Sequence, residues 1–225
     1  MLWAMKLYNY FRSSASFRVR IALAVKGLEY DYVPVNLFAG EQYSADYQAH
    51  SLDGLVPLLE TGQGALSQSM AIIEYLDETQ PQPPLLPEDA WGRARVRALA
   101  QSIACEIHPL NNLRVLKYLV GPLQRTEEAK LTWYRHWVRE GLLAFERQLL
   151  ALDAERATQG VQPSTLCYGA QTTLADCLLV PQIFNAKRFD TPLDGLPRTM
   201  AAFEACMALP AFQQAQPSSC PDFVA

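Results

Sequence analysis

Four consecutive positions, Ser13-Ser14-Ala15-Ser16, place three hydroxyls where a short apolar strand gives way to a helix. A helix start presents unpaired backbone N–H groups and a partial positive charge, so it favours anions. Hydroxyls at that point either cap the helix or donate hydrogen bonds to an anion such as a thiolate. Arg12, Arg18 and Arg20 flank the cluster and raise the local positive potential. Arg18 lies inside the helix, where it either buttresses the site or pairs with an acid. Gln68 and Ser69 open a second helix and suit a carboxylate by the same physics, although Ser69 alone would also serve as a cap. Farther on, His108 and Asn112 stand four residues apart and share a helical face if the chain bends mildly at Pro109. A histidine beside a proline is equally a packing or capping residue. Arg114 and Arg12 carry the planar fork that matches a carboxylate, or else form surface ion pairs. His50, His108 and His136 lack ligand spacing with acids or cysteines, so no metal constellation is read.

The elements that must carry these residues alternate over the first third of the chain. Residues 6–10 read as a strand and 16–26 as a helix with Val19, Ala22 and Leu23 on one side, stopped by Gly27. Residues 30–36 form a second strand, rich in aromatic and β-branched types, and 41–50 a short, polar, exposed helix. Strands at 56–60 and 65–67 are joined by the turn Gly62-Gln63-Gly64. A helix over 69–79 follows, with Ile72, Ile73 and Leu76 at helical spacing. The order β-α-β then β-β-α is that of the thioredoxin fold, its first half parallel through a right-handed crossover.

Pro81-Gln82-Pro83-Pro84 with Pro87 cannot be helical and reads as an extended, semi-rigid linker. It divides the chain into an α/β domain, residues 1–84, and an all-α domain, residues 85–225. Apolar residues recur at helical spacing over 89–119, with a kink or break expected at Pro109, and again over 127–152. Thr173-Leu174-Ala175-Asp176 opens a further helix, Thr173 capping it and Asp176 reaching back to the cap. A loop at 192–197, a helix at 198–208 and a loose tail from Gln216 complete the reading.

Composition excludes several classes of function. Half of the 225 residues are hydrophobic, so a substantial core can be buried. A net charge of -4 without a basic block argues against duplex nucleic acid. No apolar run reaches the length that spans a bilayer, and residues 1–6 lack the layout of a secretory signal. Met5 reads as an alternative start, which makes residues 1–4 a dispensable extension. The five cysteines (105, 167, 177, 206 and 220) are odd in number, widely spaced and without a C-x-x-C pair. They suit a reducing cytosol, most of them as small core residues.

A thioredoxin-like domain, a Pro-rich linker and an all-helical domain together resemble the cytosolic glutathione transferases. Leu55-Val56-Pro57-Leu58 is similar to that family's Val-Pro before the third strand, and Gln68-Ser69 to its Gln-Ser or Glu-Ser helix opening. Thr173-Leu174-Ala175-Asp176 is similar to its Ser/Thr-x-x-Asp folding motif. Within the family, residues 13–23 resemble the zeta class, which includes maleylacetoacetate and maleylpyruvate isomerases, and His108-Pro109-Leu110-Asn111-Asn112 resembles the maleylpyruvate branch. Two positions depart: the class cysteine is Ala15, and His50-Ser51-Leu52-Asp53-Gly54 stands where relatives carry Asn-Pro. Residues 153–165 are longer and more polar than in relatives.

The resemblance implies glutathione as cofactor and a small unsaturated dicarboxylic keto acid as substrate. It implies Ser13 as first and Ser14 as second hydroxyl donor to the glutathione sulfur. Val56, before a cis proline, would pair its backbone with the cysteinyl part, and Gln68 and Ser69 would hold the γ-glutamyl carboxylate. His108 and Asn112 would touch glutathione, while Arg12, Asn111 and Arg114 would meet the substrate. The implied reaction is cis–trans isomerisation by reversible thiolate addition, in which the thiol comes from glutathione and the loss of the class cysteine is tolerated. A homodimer is implied by analogy. A general conjugating or dehalogenating transferase, and a binding module without catalysis, are the alternatives. Turnover of a cis-maleyl compound against a chloroarene separates the first, and retention on immobilised glutathione the second.

Overall fold

A computed structural model describes residues 5–224. The alternative start concerns residues 1–4, which lie outside the described residues. The chain forms two compact units, one running up to Leu85 and including residues 208–224, the other Leu86–Met207. The C-terminal stretch, which the sequence suggested would belong to the helical domain, packs with the first unit instead.

The first unit is a four-stranded sheet in the order β2-β1-β3-β4, built from β1 (Lys6–Asn9), β2 (Asp31–Pro34), β3 (Leu58–Thr61) and β4 (Gly64–Ser67). β1 pairs parallel with β2, while β3 runs antiparallel to both β1 and β4. Two longer helices pack together beside it, α1 (Ser14–Val25) and α3 (Ser69–Thr79), with Val19, Leu23, Ile72 and Leu76 all buried. α1 starts two residues earlier than its apolar pattern suggests because Ser13, not a later serine, is its N-cap. It is buried on nearly every side, so Arg18 and Arg20 are buried with it.

The expected helix at 41–50 is a 3₁₀ turn (Glu41–Tyr43) followed by the single-turn α2 (Ala45–Gln48), because Ser44 breaks it and caps the second part. Gln42 and Tyr47 are buried there rather than exposed. The proline-rich linker is pinned. Lys26, buried at the end of α1, donates to Asp77 (2.8 Å) and to the carbonyls of Gln80 (2.7 Å) and Pro83 (2.9 Å).

The second unit is helical: α4 (Ala90–Gln101), α5 (His108–Asn111), α6 (Leu113–Val120), α7 (Glu127–Thr158), α8 (Leu174–Arg188) and α9 (Pro197–Met207). The break foreseen at Pro109 is spread over both of its sides. Ser102–Ile107 winds as π-helix, with the His108 amide bonded to the Ile103 carbonyl, and Asn112 is extended. Pro109 cannot donate to the preceding turn, and the wider winding relieves its clash there. α7 runs past the expected end and absorbs part of the 153–165 segment.

Asp176 is fully buried and accepts from the amides of Thr173 (2.7 Å) and Cys167 (2.8 Å) and from the Thr173 hydroxyl (2.8 Å). Four cysteines are buried and Cys105 is exposed, all with free thiols. Burial, and after it the Asp176 charge, push the Cys167 and Cys206 thiols up, so neither is a reactive thiolate.

The loose tail does not occur. After α10 (Pro210–Ala215) and a 3₁₀ turn (Pro217–Ser219), Cys220 is buried in a cluster with Tyr10, Phe11, Val35, Tyr47 and Val56.

Candidate active site

Strand register decides which of the singled-out residues meet. Tyr8 pairs with Leu58, and Leu58 with Ser67. The chain leaving β1 toward Ser13, the chain entering β3 through Val56 and Pro57, and the chain leaving β4 toward Gln68 and Ser69 therefore lie at one end of the sheet. Five residues of the first unit, Ser13, Ser14, Val56, Gln68 and Ser69, gather there.

Ser13 does two things at once. Its amide donates to the Tyr10 carbonyl (2.9 Å), and its hydroxyl oxygen accepts the Ser16 amide (3.2 Å). The cap uses one lone pair and leaves the O–H proton to donate. Ser14 is 8 % exposed, and its hydroxyl bonds to no other described residue. The first-turn amides of Ser14 and Ala15 have no intrahelical acceptor. Two hydroxyl protons and two amides thus stand at one positive helix end, a fit for an ionised sulfur. Ala15 contributes through its backbone amide alone. Arg20 keeps its charge, but its donors go to the chain itself. It is consumed by Asn9 Oδ1 (3.0 Å) and by the carbonyls of Phe11 (3.1 Å), Tyr10 (3.5 Å) and Ala215 (3.0 Å).

The second anion position lies at the start of α3. Ser69 is buried and takes a hydrogen bond from Arg18 Nη1 at 3.3 Å. The Ile72 amide is satisfied by the Gln68 carbonyl, while the earlier amides of this turn have no intrahelical acceptor. Gln68 has φ 71°, a region that non-glycine residues seldom occupy, and its side chain is exposed. A carboxylate fits here, where amides, a hydroxyl and a buried guanidinium converge.

Val56 precedes a cis peptide bond to Pro57, and β3 begins only at Leu58, so the Val56 peptide lies beyond the strand ladder. Its approach is built by residues that the sequence reading did not single out. Tyr47 donates its hydroxyl to the Leu55 carbonyl (2.5 Å), and Asp53 accepts from the Ser51 hydroxyl (2.9 Å) and the Leu55 amide (3.1 Å). Burial pushes the Tyr47 phenol up to about 12, so it stays a donor. Gly54 sits at φ +61° with the Gln42 carbonyl 3.2 Å from where a Cβ would be. The approach to Val56 is thus an Asp-centred turn. Residue spacing alone offered no signal for it beyond the Asp-Gly pair.

Arg12 is exposed. Its guanidinium lies over the rings of Phe11 (5.0 Å) and Phe38 (5.8 Å), and it donates to the Val224 carbonyl (3.4 Å).

In the second unit, His108 Nε2 and Asn112 Nδ2 are 3.3 Å apart, although Asn112 itself is outside the helix and caps α6 by accepting the Arg114 amide. Arg114 is exposed on the first turn of α6. Asn111 is not on that surface. It is 3 % exposed and its side chain turns to Gln182 of α8 (3.5 Å). Its place in the one-turn α5 directs its side chain inward. Among the described residues no three His, Cys, Asp or Glu side chains are grouped as metal ligands.

Residues 3–78 match the family of glutathione S-transferase N-terminal domains. The chain is 45% identical over 218 residues to a probable maleylacetoacetate isomerase of Vibrio cholerae, covering 96% of this chain and 97% of that protein. Among solved structures it is similar to a holo maleylpyruvate isomerase, a bacterial zeta-class glutathione transferase (44% identity, TM-score 0.91, 97% and 100% covered). It is also similar to the maleylacetoacetate isomerase of Anaeromyxobacter dehalogenans solved with dicarboxyethyl glutathione and citrate in the active site (40% identity, TM-score 0.86, 100% and 99% covered).

Proposed function

Since the chain belongs to the zeta-class glutathione transferase and maleylacetoacetate isomerase family, we propose that it is a glutathione-dependent cis–trans isomerase of maleylacetoacetate or maleylpyruvate. The observation that carries this reading is the meeting of two anion-favouring helix starts at one sheet end, one with spare hydroxyl protons and one with a buried arginine. When bound, glutathione supplies the thiolate that adds reversibly to the maleyl double bond and so permits rotation.

The remaining work falls to this chain's own side chains and amides. Ser13 and Ser14, with the amides of Ser14 and Ala15, keep the sulfur ionised. A thiol titrates near ~8.5 when free, and donors with a helix start lower that value. The Val56 backbone pairs with the cysteinyl peptide, and Gln68 and Ser69 hold the γ-glutamyl carboxylate. In the second unit, His108 and Asn112 form a polar pair suited to a peptide ligand and Arg114 offers an exposed guanidinium suited to a carboxylate, while in the first unit Arg12 suits a carboxylate of the substrate as a bidentate partner. The dicarboxyethyl glutathione in the Anaeromyxobacter relative supports a site that accepts a dicarboxylate joined to this tripeptide.

Free thiols throughout the described residues support a reducing cytoplasm, and among those residues no helix is long and apolar enough to cross a membrane. Exposed Phe38, Tyr43 and Leu52 support a homodimer, which sedimentation would test. The function itself is tested by following maleylpyruvate and maleylacetoacetate spectrophotometrically, each with and without glutathione. Conversion of at least one, dependent on glutathione, is expected. Conversion of neither, or equal rates without glutathione, would refute it.

A further inference from the structure

The turn between β1 and α1 is held from two sides. Inside, Arg20 takes the Tyr10 and Phe11 carbonyls, and the Ser13 amide closes back on Tyr10. Outside, the Phe11 amide has its acceptor in the last residues of the chain: Asp222 Oδ2, at 3.2 Å. The other oxygen of the same carboxylate accepts the Tyr32 hydroxyl from β2. Around that bridge the Phe223 ring stands edge-on to Phe11 at 5.6 Å, and the Val224 carbonyl accepts from Arg12. Cys220, two residues before Asp222, is buried against Tyr10, Phe11 and Val56.

Apart from the Tyr32 bond and the packing of Cys220 on Val56, these contacts fall on residues 10–12, which lead into Ser13. We infer that Asp222 is a positioning residue for the reaction: it fixes the Phe11 amide and Tyr32 together, and the tail it anchors aims Arg12 and sets the entry to Ser13. This rests on the function proposed above. Asp222 itself touches neither the proposed glutathione groups nor the substrate arginines.

The chemistry of the bridge supplies a discriminating variant. The Phe11 amide can only donate, whereas a tyrosine hydroxyl can donate or accept. Asparagine at 222 can therefore keep both bonds, its carbonyl toward Phe11 and its amide toward Tyr32. Alanine keeps neither. The bridge acts through geometry rather than charge, so Asp222→Asn should behave as the parent and Asp222→Ala should not.

The experiment compares the full chain with Asp222→Ala, Asp222→Asn and Tyr32→Phe, measuring steady-state isomerisation and hydrogen–deuterium exchange of residues 10–16. A small misplacement of reacting groups is costly, so Asp222→Ala is expected to lower kcat/KM for the maleyl acid about tenfold, with the KM for glutathione within about twofold. Exchange at 10–16 should quicken while 69–79 is unchanged. Asp222→Asn should restore both readouts, and Tyr32→Phe should fall between. Parental exchange and rate in Asp222→Ala would overturn the inference, and so would equal damage from alanine and asparagine. If the parent chain itself does not isomerise, the proposed function fails instead. The exchange comparison then decides on its own: unchanged exchange in Asp222→Ala overturns the positioning role, and faster exchange restored by asparagine supports it.

Discussion

The Arg18 guanidinium donates to the Ser69 hydroxyl across 3.3 Å, joining the first helix to the start of the third with both residues almost out of solvent. Guanidinium has no acceptor capacity, so this bond fills a lone pair on Ser69 and leaves the serine O–H to point elsewhere. A ligand carboxylate at the helix start is the acceptor that this geometry awaits.

Removing the Ser69 hydroxyl should therefore weaken glutathione binding and spare the chemistry. Hydrogen bonds to charged groups are worth about 1.5–3 kcal/mol, so Ser69→Ala is expected to raise the KM for glutathione at least about tenfold. Its kcat should stay within about twofold at saturating glutathione. Steady-state kinetics with glutathione varied is the check, and a fall in kcat at unchanged KM would contradict the assignment.

Ser13 both caps α1 and keeps a proton to donate, and two substitutions separate these roles. Ser13→Ala should cost about 1 kcal/mol of stability through the lost cap, and Ser13→Gly only a few tenths. Both lose the hydroxyl proton, so both should slow turnover alike and by much more than they weaken glutathione binding. Turnover that followed thermal stability instead, with glycine nearly normal, would reduce Ser13 to a cap.

Gly141 lets α7 approach the π-helical segment closely. A Cβ there would fall 2.3 Å from Ile107 Cγ1 and 2.7 Å from its Cδ1. Alanine normally gains about 1 kcal/mol over glycine inside a helix. Overpacking costs about 1–3 kcal/mol, so the clash is expected to win. Gly141→Ala should be destabilised by about 1 kcal/mol in urea unfolding, with the Ile107-His108 segment displaced. A stabilised variant would mean that Ile107 yields freely.

Glu60 titrates in a defined direction. Its carboxyl is held below the usual range first by the hydrogen bond from Lys6 (3.2 Å), with the charges of Lys6 and His50 and the Tyr8 bond adding to it against partial burial. A lowered folded-state pKa gives stability that is present above the ordinary carboxylate value and is lost as pH falls through the lowered one. Lys6→Met should therefore move the Glu60 midpoint, read by carbon NMR, back toward the ordinary range. It should also weaken the chain at neutral pH relative to strong acid, where the parent has already lost the contribution. An unmoved midpoint would show that Lys6 is not the cause.

The sheet and its two flanking helices were legible because their signals are local. The Gly62-Gly64 turn and the spacing of Ile72, Ile73 and Leu76 fix α3 to the residue. Pro109 announced a break, but periodicity carries no phase across one, so neither the π winding at 102–107 nor the inward turn of Asn111 could be read. The sequence left Arg18 either to buttress the site or to pair with an acid, and its bond to Ser69 could not be read, since burial of α1 on nearly all sides is a property of packing. Asp222 was hidden for a different reason. Its bond to Phe11 spans 211 positions, and a polar, proline-bearing end resembles a loose tail until its partners are seen.

The most direct measurement is the ionisation of glutathione on the protein, followed by the ultraviolet absorbance of the thiolate against pH. A free thiol titrates near ~8.5, and the helix start with its hydroxyl donors should bring the bound thiol at least about one unit lower. Removing the Ser13 and Ser14 hydroxyls together should move it back toward the free value. A bound thiol that titrates like the free tripeptide in the parent chain would contradict the claim that this protein works by keeping a guest sulfur ionised.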